Sequence, residues 1–301
     1  MSENTAIARA KTIAFQGEPG AYANLAAREA VPHAEALPRP TFEAALNAVR
    51  GGEADLAIIP VENSVYGRIA DVHTLVRHFG RPIKGLVPEG ESNLFILGEH
   101  FLRIRHQLLG PKGAKLTDVK VVYSQGPALG QCRNVIRQLG VTDKQWSDTA
   151  GAARHIAELN DPSCAAIASK LAGEIYGLEI LKPDIEDASN NMTRFLIVGS
   201  EPDDPPNDGR PVITTFLFGV RNIPAALYKA MGGFATNGVN MTKLESYQLG
   251  GSFNATEFYA DIEGHPDSRN VRLALEELSF FSSRVIMLGI YPAHPYRNEM
   301  P

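Results

Sequence analysis

Cysteine is nearly absent, with only Cys132 and Cys164 in 301 residues. Neither has a neighbour at the spacing that holds zinc or supports dithiol chemistry, which excludes a disulfide framework and makes two reduced, buried thiols the expectation. The eight histidines are scattered, and His73 and His78, five apart, do not share a helical face as a spacing of four would allow. No metal and no cofactor is expected. An excess of basic residues is also missing: the net charge is -5 and Lys and Arg are spread along the chain, so nucleic acid is not an expected partner. Long apolar runs are missing too. The opening MSENTAIARAKTIAF lacks the continuous apolar stretch of an export signal, and no later run has the length of a membrane span. No membrane association is expected, and the expected location is the cytoplasm.

What is present is an ordinary globular composition, 44% hydrophobic and 21% charged, in a chain longer than one compact domain usually needs. Strand-like apolar runs occur at 12–15, 56–61, 93–97, 119–123, 165–168 and 195–198, separated by helical patterns. The clearest helix has Phe42, Ala45, Leu46 and Val49 on one face, Thr41 as its N-cap and Gly51-Gly52 as its stop. Such alternation predicts parallel sheets. Residues 200–211, SEPDDPPNDGRP, hold four prolines and four acids with almost no apolar side chain, and read as a linker. Beyond it the pattern predicts strand 212–220, helix 225–236, strands 240–247 and 255–262, helix 268–278 and strand 283–291. That order is βαββαβ.

Polar clusters follow the strand-like runs: GEPGAYAN after IAF, ENSVYG after AIIPV, SQGPALGQC after VVY, and Ser169 after AAIA. Ligands of open α/β sheets bind beyond these carboxyl ends, and a helix that starts there offers unpaired N–H groups to an anion. Taken singly, each cluster has a plainer explanation. Gly17 and Gly20 fit simple turns, Glu62-Asn63-Ser64 fits a turn with a helix cap, and Ser124 and Gln131 fit a capped surface helix. Arg194, entering an apolar strand, needs an anion or a carboxylate beside it, so substrate binding and a structural ion pair stand level.

In this order GEPGAY, PVENSVYG, SQGPALGQC, DTAGAA and NMTRF resemble the signature stretches of the prephenate dehydratase family, and GVNMTKLES at 238–246 is similar to the family's ACT domain. The resemblance covers nearly the whole chain. It implies an α/β fold with a two-lobed catalytic domain of the periplasmic-binding-protein type (type II) at 11–200, made of one lobe at about 11–85 plus 186–200 and another at about 86–185. A linker at 201–211 and a ferredoxin-like βαββαβ ACT regulatory domain at 212–301 follow. The implied reaction is the decarboxylative dehydration of prephenate to phenylpyruvate, water and carbon dioxide, on the route to phenylalanine. Thr193 would donate to the departing hydroxyl; Asn63, Ser64, Ser124, Gln131 and Thr149 would hold substrate oxygens, with Ser169 and Phe195 beside them. Glu62 would orient its neighbours, and Arg194 would bind a carboxylate or brace the lobe. Such a reaction asks for placed donors and a dry carboxylate, not for a metal or cofactor.

The implied regulation is feedback inhibition by L-phenylalanine at Ala225, Ala226, Leu227, Asn240, Glu245 and Ser246, in a homodimer or homotetramer joined through ACT domains. Here the chain departs from the family: Ala225 stands where Gly is usual, and Tyr247-Gln248 where Arg-Pro is usual. Gln125-Gly126-Pro127 is a further departure, near the implied pocket. The ten or so residues before the first strand leave no room for a fused chorismate mutase, so a monofunctional enzyme is expected. Two other functions fit the same fold: an arogenate dehydratase, and a non-enzymatic two-lobed ligand sensor.

Overall fold

The computed structural model describes residues 5–84, 94–221, 223–248 and 255–299. In chain order the elements are α1 (Thr5–Arg9), β1 (Thr12–Gln16), α2 (Tyr22–Ala30), β2 (Glu35–Arg39), α3 (Phe42–Arg50), β3 (Leu56–Asn63), β4 (Gly67–Arg68), α4 (Ala70–Val76), β5 (Arg81–Lys84), β6 (Phe95–Arg103) and β7 (Gln107–Gly110). There follow β8 (Val121–Ser124), α5 (Gly126–Gln131), α6 (Arg133–Leu139), β9 (Thr142–Gln145), α7 (Thr149–Leu159), β10 (Cys164–Ala168), α8 (Lys170–Tyr176), β11 (Glu179–Lys182) and β12 (Met192–Gly199). The last part comprises β13 (Val212–Val220), α9 (Ala226–Thr236), β14 (Met241–Gln248), β15 (Ala255–Glu263), α10 (Arg269–Phe281) and β16 (Ser282–Pro292).

The described residues form two compact units, one of Ala10–Val72 with His100–Phe195, the other of Met1–Arg9 with His73–Glu99 and Leu196–Pro301. This grouping differs from the partition expected at 200–211 chiefly in His73–Glu99, which groups with the C-terminal residues. The lobe boundary expected at 85–86 and the strand residue Asn93 lie outside the described residues.

The first unit holds the sheet of order β11-β7-β10-β8-β9 and, with β12 as far as Phe195 and β6 from His100, the sheet of order β2-β1-β3-β12-β6 with β4 on β3. Each has a parallel centre: β1 runs parallel to β2 and β3, and β8 parallel to β9 and β10. Helix α3 follows from its sequence: Thr41 Oγ1 accepts from Ala44 N at 3.0 Å, and Ala45, Leu46 and Val49 are buried. Pro60 lies in β3 beyond Ile58, where the ladder with β1 ends. The chain passes between the sheets twice, and the two passages lie side by side. Ile104 N donates to the Asn191 carbonyl and Ile185 N to the His106 carbonyl, both at 2.8 Å.

The turn after β1 is held tightly. Glu18 takes a two-point ion pair from Arg154 of α7, at 2.6 and 2.8 Å. Ser169 Oγ donates to the Gly20 carbonyl at 2.5 Å and accepts from Ala172 N at 3.0 Å, so one hydroxyl caps α8 and anchors the turn. Gly20 has φ +92°, and a Cβ there would lie 2.7 Å from Ala172 Cα. Only glycine meets both constraints.

In the second unit the sheet order is β14-β15-β13-β16-β5. Strand β13 is buried along its whole length because β15 and β16 pair with it on both sides. Helices α9 and α10 supply one face of core, where Phe216, Phe218, Phe234 and Leu278 pack together; each such side chain contributes about 1.5–3 kcal/mol by burial. Another set of buried side chains on these strands is polar. Fully buried Glu257 takes Arg77 Nε at 2.6 Å and also pairs with Arg284, Tyr247 Oη lies 2.5 Å from His73 Nδ1, and Thr215 Oγ1 donates to Asp261 at 2.7 Å. His73 and Arg77, together with Glu99 paired to Arg297 at 2.5 Å, explain why residues 73–99 group here. The predicted βαββαβ order is observed, with boundaries shifted by up to three residues.

Replacing Gly20 with alanine should destabilise the protein by about 2–4 kcal/mol, the sum of left-handed strain and overpacking. Thermal unfolding measures this; a melting temperature equal to wild type would show that the turn can move away from α8.

Candidate functional site

A cavity of about 410 Å³ opens within the first unit, where the carboxyl ends of β1 and β3 and the starts of α2, α5 and α7 meet. Of the ten residues expected at a catalytic site, Asn63, Gln131, Thr149, Thr193 and Phe195 line it. The other five are engaged elsewhere. Ser124 is fully buried and its Oγ donates to the Ile167 carbonyl at 2.6 Å. Ser169 caps α8. Ser64 Oγ donates to the Asn190 carbonyl at 2.8 Å and accepts from Met192 N at 2.9 Å, clasping the turn after β3 to the start of β12. Arg194, 3% exposed, pairs with Glu62 at 2.9 Å, so the arginine entering β12 meets a carboxylate of the protein.

The polarity of the cavity wall can be worked out from two backbone amides. Val65 N and Tyr66 N each lie 2.9 Å from the same side-chain atom of Asn63, and a backbone N–H can only donate, so that atom is Oδ1. The other end of the amide is therefore Nδ2, which donates to Asn191 Oδ1 at 2.7 Å and to Thr193 Oγ1 at 2.9 Å. Asn191 must then turn its own Nδ2 outward, and it donates to Gln131 Oε1 at 2.8 Å. Thr193, 7% exposed, thus receives a hydrogen bond on its oxygen, and its proton has no acceptor among the described residues. A hydroxyl so placed is a donor awaiting a ligand.

The rest of the wall suits an anion with an apolar body. Helix α2 begins at Tyr22 with no side-chain cap on its first N–H groups, and Tyr22 and Ala23 line the cavity. Arg68 adds a cation, and Phe42, Ile104 and Phe195 add apolar surface. Two acids, Asp71 and Asp148, also reach the wall, the latter accepting from Gly151 N at 2.8 Å as the cap of α7.

His106, Tyr22 and Asn191 are the members of this network that sequence reasoning passed over. His106 is 2% exposed, with Nε2 2.6 Å from Gln131 Oε1 and Nδ1 2.8 Å from the Tyr22 hydroxyl. Burial pushes its pKa down and that of Tyr22 well up. Tyr22 and Asn191 stand inside the quoted stretches GEPGAY and NMTRF; a lone histidine before the short strand β7 gives no signal of its own.

In the second unit a cavity of about 600 Å³ lies between the start of α9 and β14, lined by Ala225, Ala226, Leu227, Glu245 and Ser246 but not by Asn240. Ala225 adopts φ +61°, ψ 15°, the left-handed conformation that glycine takes without strain. Lys243 pairs with Glu245 at 3.2 Å.

Three known proteins place this chain among relatives. It is 47% identical to the bifunctional N-acyl-homoserine lactone acylase/prephenate dehydratase of Komagataeibacter europaeus, over 96% of this chain and 98% of that one. It is 36% identical to arogenate dehydratase 2 of Petunia hybrida, over 93% of this chain and 71% of that one. The solved structure of prephenate dehydratase from Arthrobacter aurescens, in complex with L-Phe, superposes with a TM-score of 0.81 at 29% identity, covering 96% of this chain and 91% of that one. The family model for prephenate dehydratase matches residues 13–203, a span that contains the whole cavity wall, and with it the chain belongs to the prephenate dehydratase family.

Proposed function

We propose that the protein converts prephenate to phenylpyruvate, water and carbon dioxide in the 410 Å³ cavity, acting as a carbon–oxygen lyase in phenylalanine biosynthesis. The observation that carries this reading is the Thr193 hydroxyl, whose oxygen is occupied by Asn63 Nδ2 and whose proton therefore faces a ligand. Prephenate loses its ring hydroxyl and its ring carboxylate together. A donor at the departing oxygen stabilises the charge that develops there, and placement matters more than acidity for so weak an acid as threonine. The uncapped start of α2 and Arg68 suit the carboxylate that is kept, while Phe42, Ile104 and Phe195 suit the ring and leave the carboxylate that is lost poorly solvated. Glu62 and Arg194, in this reading, act as a brace on β12.

The finer architecture also belongs to this proposal. The two sheets of the first unit are read as the two lobes of a periplasmic-binding-protein-like domain, and the βαββαβ segment as an ACT domain that joins chains into a homodimer or homotetramer. L-phenylalanine is the proposed effector, taken by the cavity at Ala225–Leu227 and Glu245-Ser246; the Arthrobacter aurescens relative was solved in complex with L-Phe.

With purified protein, prephenate should yield phenylpyruvate, and Thr193→Ala should lower kcat by about 10²–10³-fold without loss of fold, the usual cost of one transition-state donor. Thr193→Ser keeps the hydroxyl and should retain most of the rate. Arogenate is assayed beside prephenate, because Asp71 and Asp148 on the wall could take its ammonium group, and so is an N-acyl-homoserine lactone, in view of the Komagataeibacter europaeus relative. Turnover of none of the three by folded protein sinks the enzyme and restores the sensor.

L-phenylalanine should inhibit this turnover, and Ala225→Gly should lower the concentration needed while raising the melting temperature. The substitution removes a Cβ from the cavity wall and relieves about 1 kcal/mol of left-handed strain. Inhibition curves that coincide for the two proteins would place the effector elsewhere.

A further inference from the structure

The hydrogen-bond polarity that starts at Asn63 does not stop at Gln131. Gln131 Oε1 already accepts from Asn191 Nδ2 at 2.8 Å, which identifies it as the oxygen end of the amide, and the His106 Nε2 that stands 2.6 Å away must carry a proton to make a bond there. The neutral imidazole then has its lone pair on Nδ1. That nitrogen faces the Tyr22 hydroxyl at 2.8 Å, whose single proton lies between it and the Arg105 carbonyl 2.9 Å away. Each assignment up to the His106 Nε2 proton follows from the one before, back to the N–H groups of Val65 and Tyr66.

We propose that His106 is a positioning residue for the elimination: held as the Nε2–H tautomer by Tyr22, it locks the Gln131 oxygen so that the Gln131 NH₂ group is the end offered to substrate oxygen. The proposal rests on the function given above. Without His106, the Gln131 amide would keep only the bond from Asn191 and could rotate or withdraw; with it, the oxygen is held from two sides, and Nε2 of Gln131 has no protein partner among the described residues. Gln131 lies on the cavity wall, as do Tyr22 and His106. The same chain links Thr193 and Gln131 through Asn63 and Asn191, so both cavity donors take their direction from one origin.

The charged groups around His106 do not reverse this direction. Glu186 accepts the His106 backbone N–H at 2.9 Å, and Asp184 is held by Gln107 Nε2 at 3.0 Å and by Arg105 at 3.6 Å. Asp187 accepts from Asn134 N at 3.2 Å. Were His106 to gain a proton on Nδ1, the Tyr22 hydroxyl could donate instead to the Arg105 carbonyl, 2.9 Å away, and Nε2–H would still face Gln131. Burial nonetheless favours the neutral ring.

Two measurements test this on the full chain. Imidazole nitrogen NMR of the resting protein at neutral pH should show His106 neutral with its proton on Nε2; an Nδ1–H tautomer overturns the proposal whatever the activity. In parallel, His106→Asn, which cannot reach Gln131 with a donor, should lower kcat for prephenate by about 10²-fold, the scale expected when a reacting-site group is misplaced. His106→Gln, whose amide can place an N–H where Nε2 stood, should recover most of that loss at equal melting temperature. Unchanged kcat in His106→Asn, beside an active wild type, overturns the positioning role, whereas an inactive wild type refutes the dehydratase function itself and leaves the tautomer result standing.

Discussion

The two hydrogen bonds that Val65 N and Tyr66 N give to Asn63 Oδ1 govern the chemistry of the first unit. A side-chain amide can present either end to its surroundings, and a chain of such groups has no inherent direction. Backbone N–H groups cannot reverse. By fixing Asn63 they fix Asn191, then Gln131, and they decide that Thr193 receives rather than gives inside the protein. In the proposed reaction the cavity stabilises departing hydroxide, which needs donors whose protons already point inward, since reorientation during the reaction would cost part of the gain.

This dependence explains why residues expected to touch substrate are found holding the frame. Ser64 clasps the turn that contains Val65 and Tyr66 to the start of β12, where Thr193 lies. Glu62 and Arg194, next to Asn63 and Thr193 in the chain, tie β3 and β12 together at the same level. Alternation along a strand sends neighbours to opposite faces, so Asn63 and Thr193 reach the cavity while Glu62 and Arg194 are turned away from it. The glycine turn after β1 is fixed in the same manner, by Ser169 and Arg154, and delivers Tyr22 to the network.

Much of this was legible before any coordinates. The helix at 42–50 was written in its period and its cap, the βαββαβ order in alternating apolar runs, and the convergence of polar clusters in their common place after strands. The hidden parts have physical reasons. Strand β2, Glu35–Arg39, contains a proline and two charged ends and sits at a sheet edge, where burial imposes no pattern. Ser124 and Ser169 looked like pocket residues because small hydroxyls cap helices and line ligand sites equally well, and only burial and partners separate the two uses. His106 is invisible in one dimension. Its position is set by the side-by-side passages at 104–106 and 185–191, which bring together residues far apart in the sequence.

The polar interior of the second unit obeys a related logic. Glu257, Glu99 and Asp261 are buried carboxylates, and an apolar cover over any of them would leave a charge without compensation, at a cost of about 3–5 kcal/mol. Only segments carrying Arg77, Arg284 or Arg297 at the right register can cover them, so the charges reject alternative packings more strongly than they stabilise the native one. Tyr247 fits the same scheme. It presents an uncharged hydroxyl to His73 and its ring to Arg77, 5.3 Å from the guanidinium carbon. An arginine at 247 would add a third cation beside Arg77 and Arg284 around the single carboxylate of Glu257. The tyrosine thus keeps this interior near charge balance, while the neighbouring Glu245 and Ser246 line the cavity.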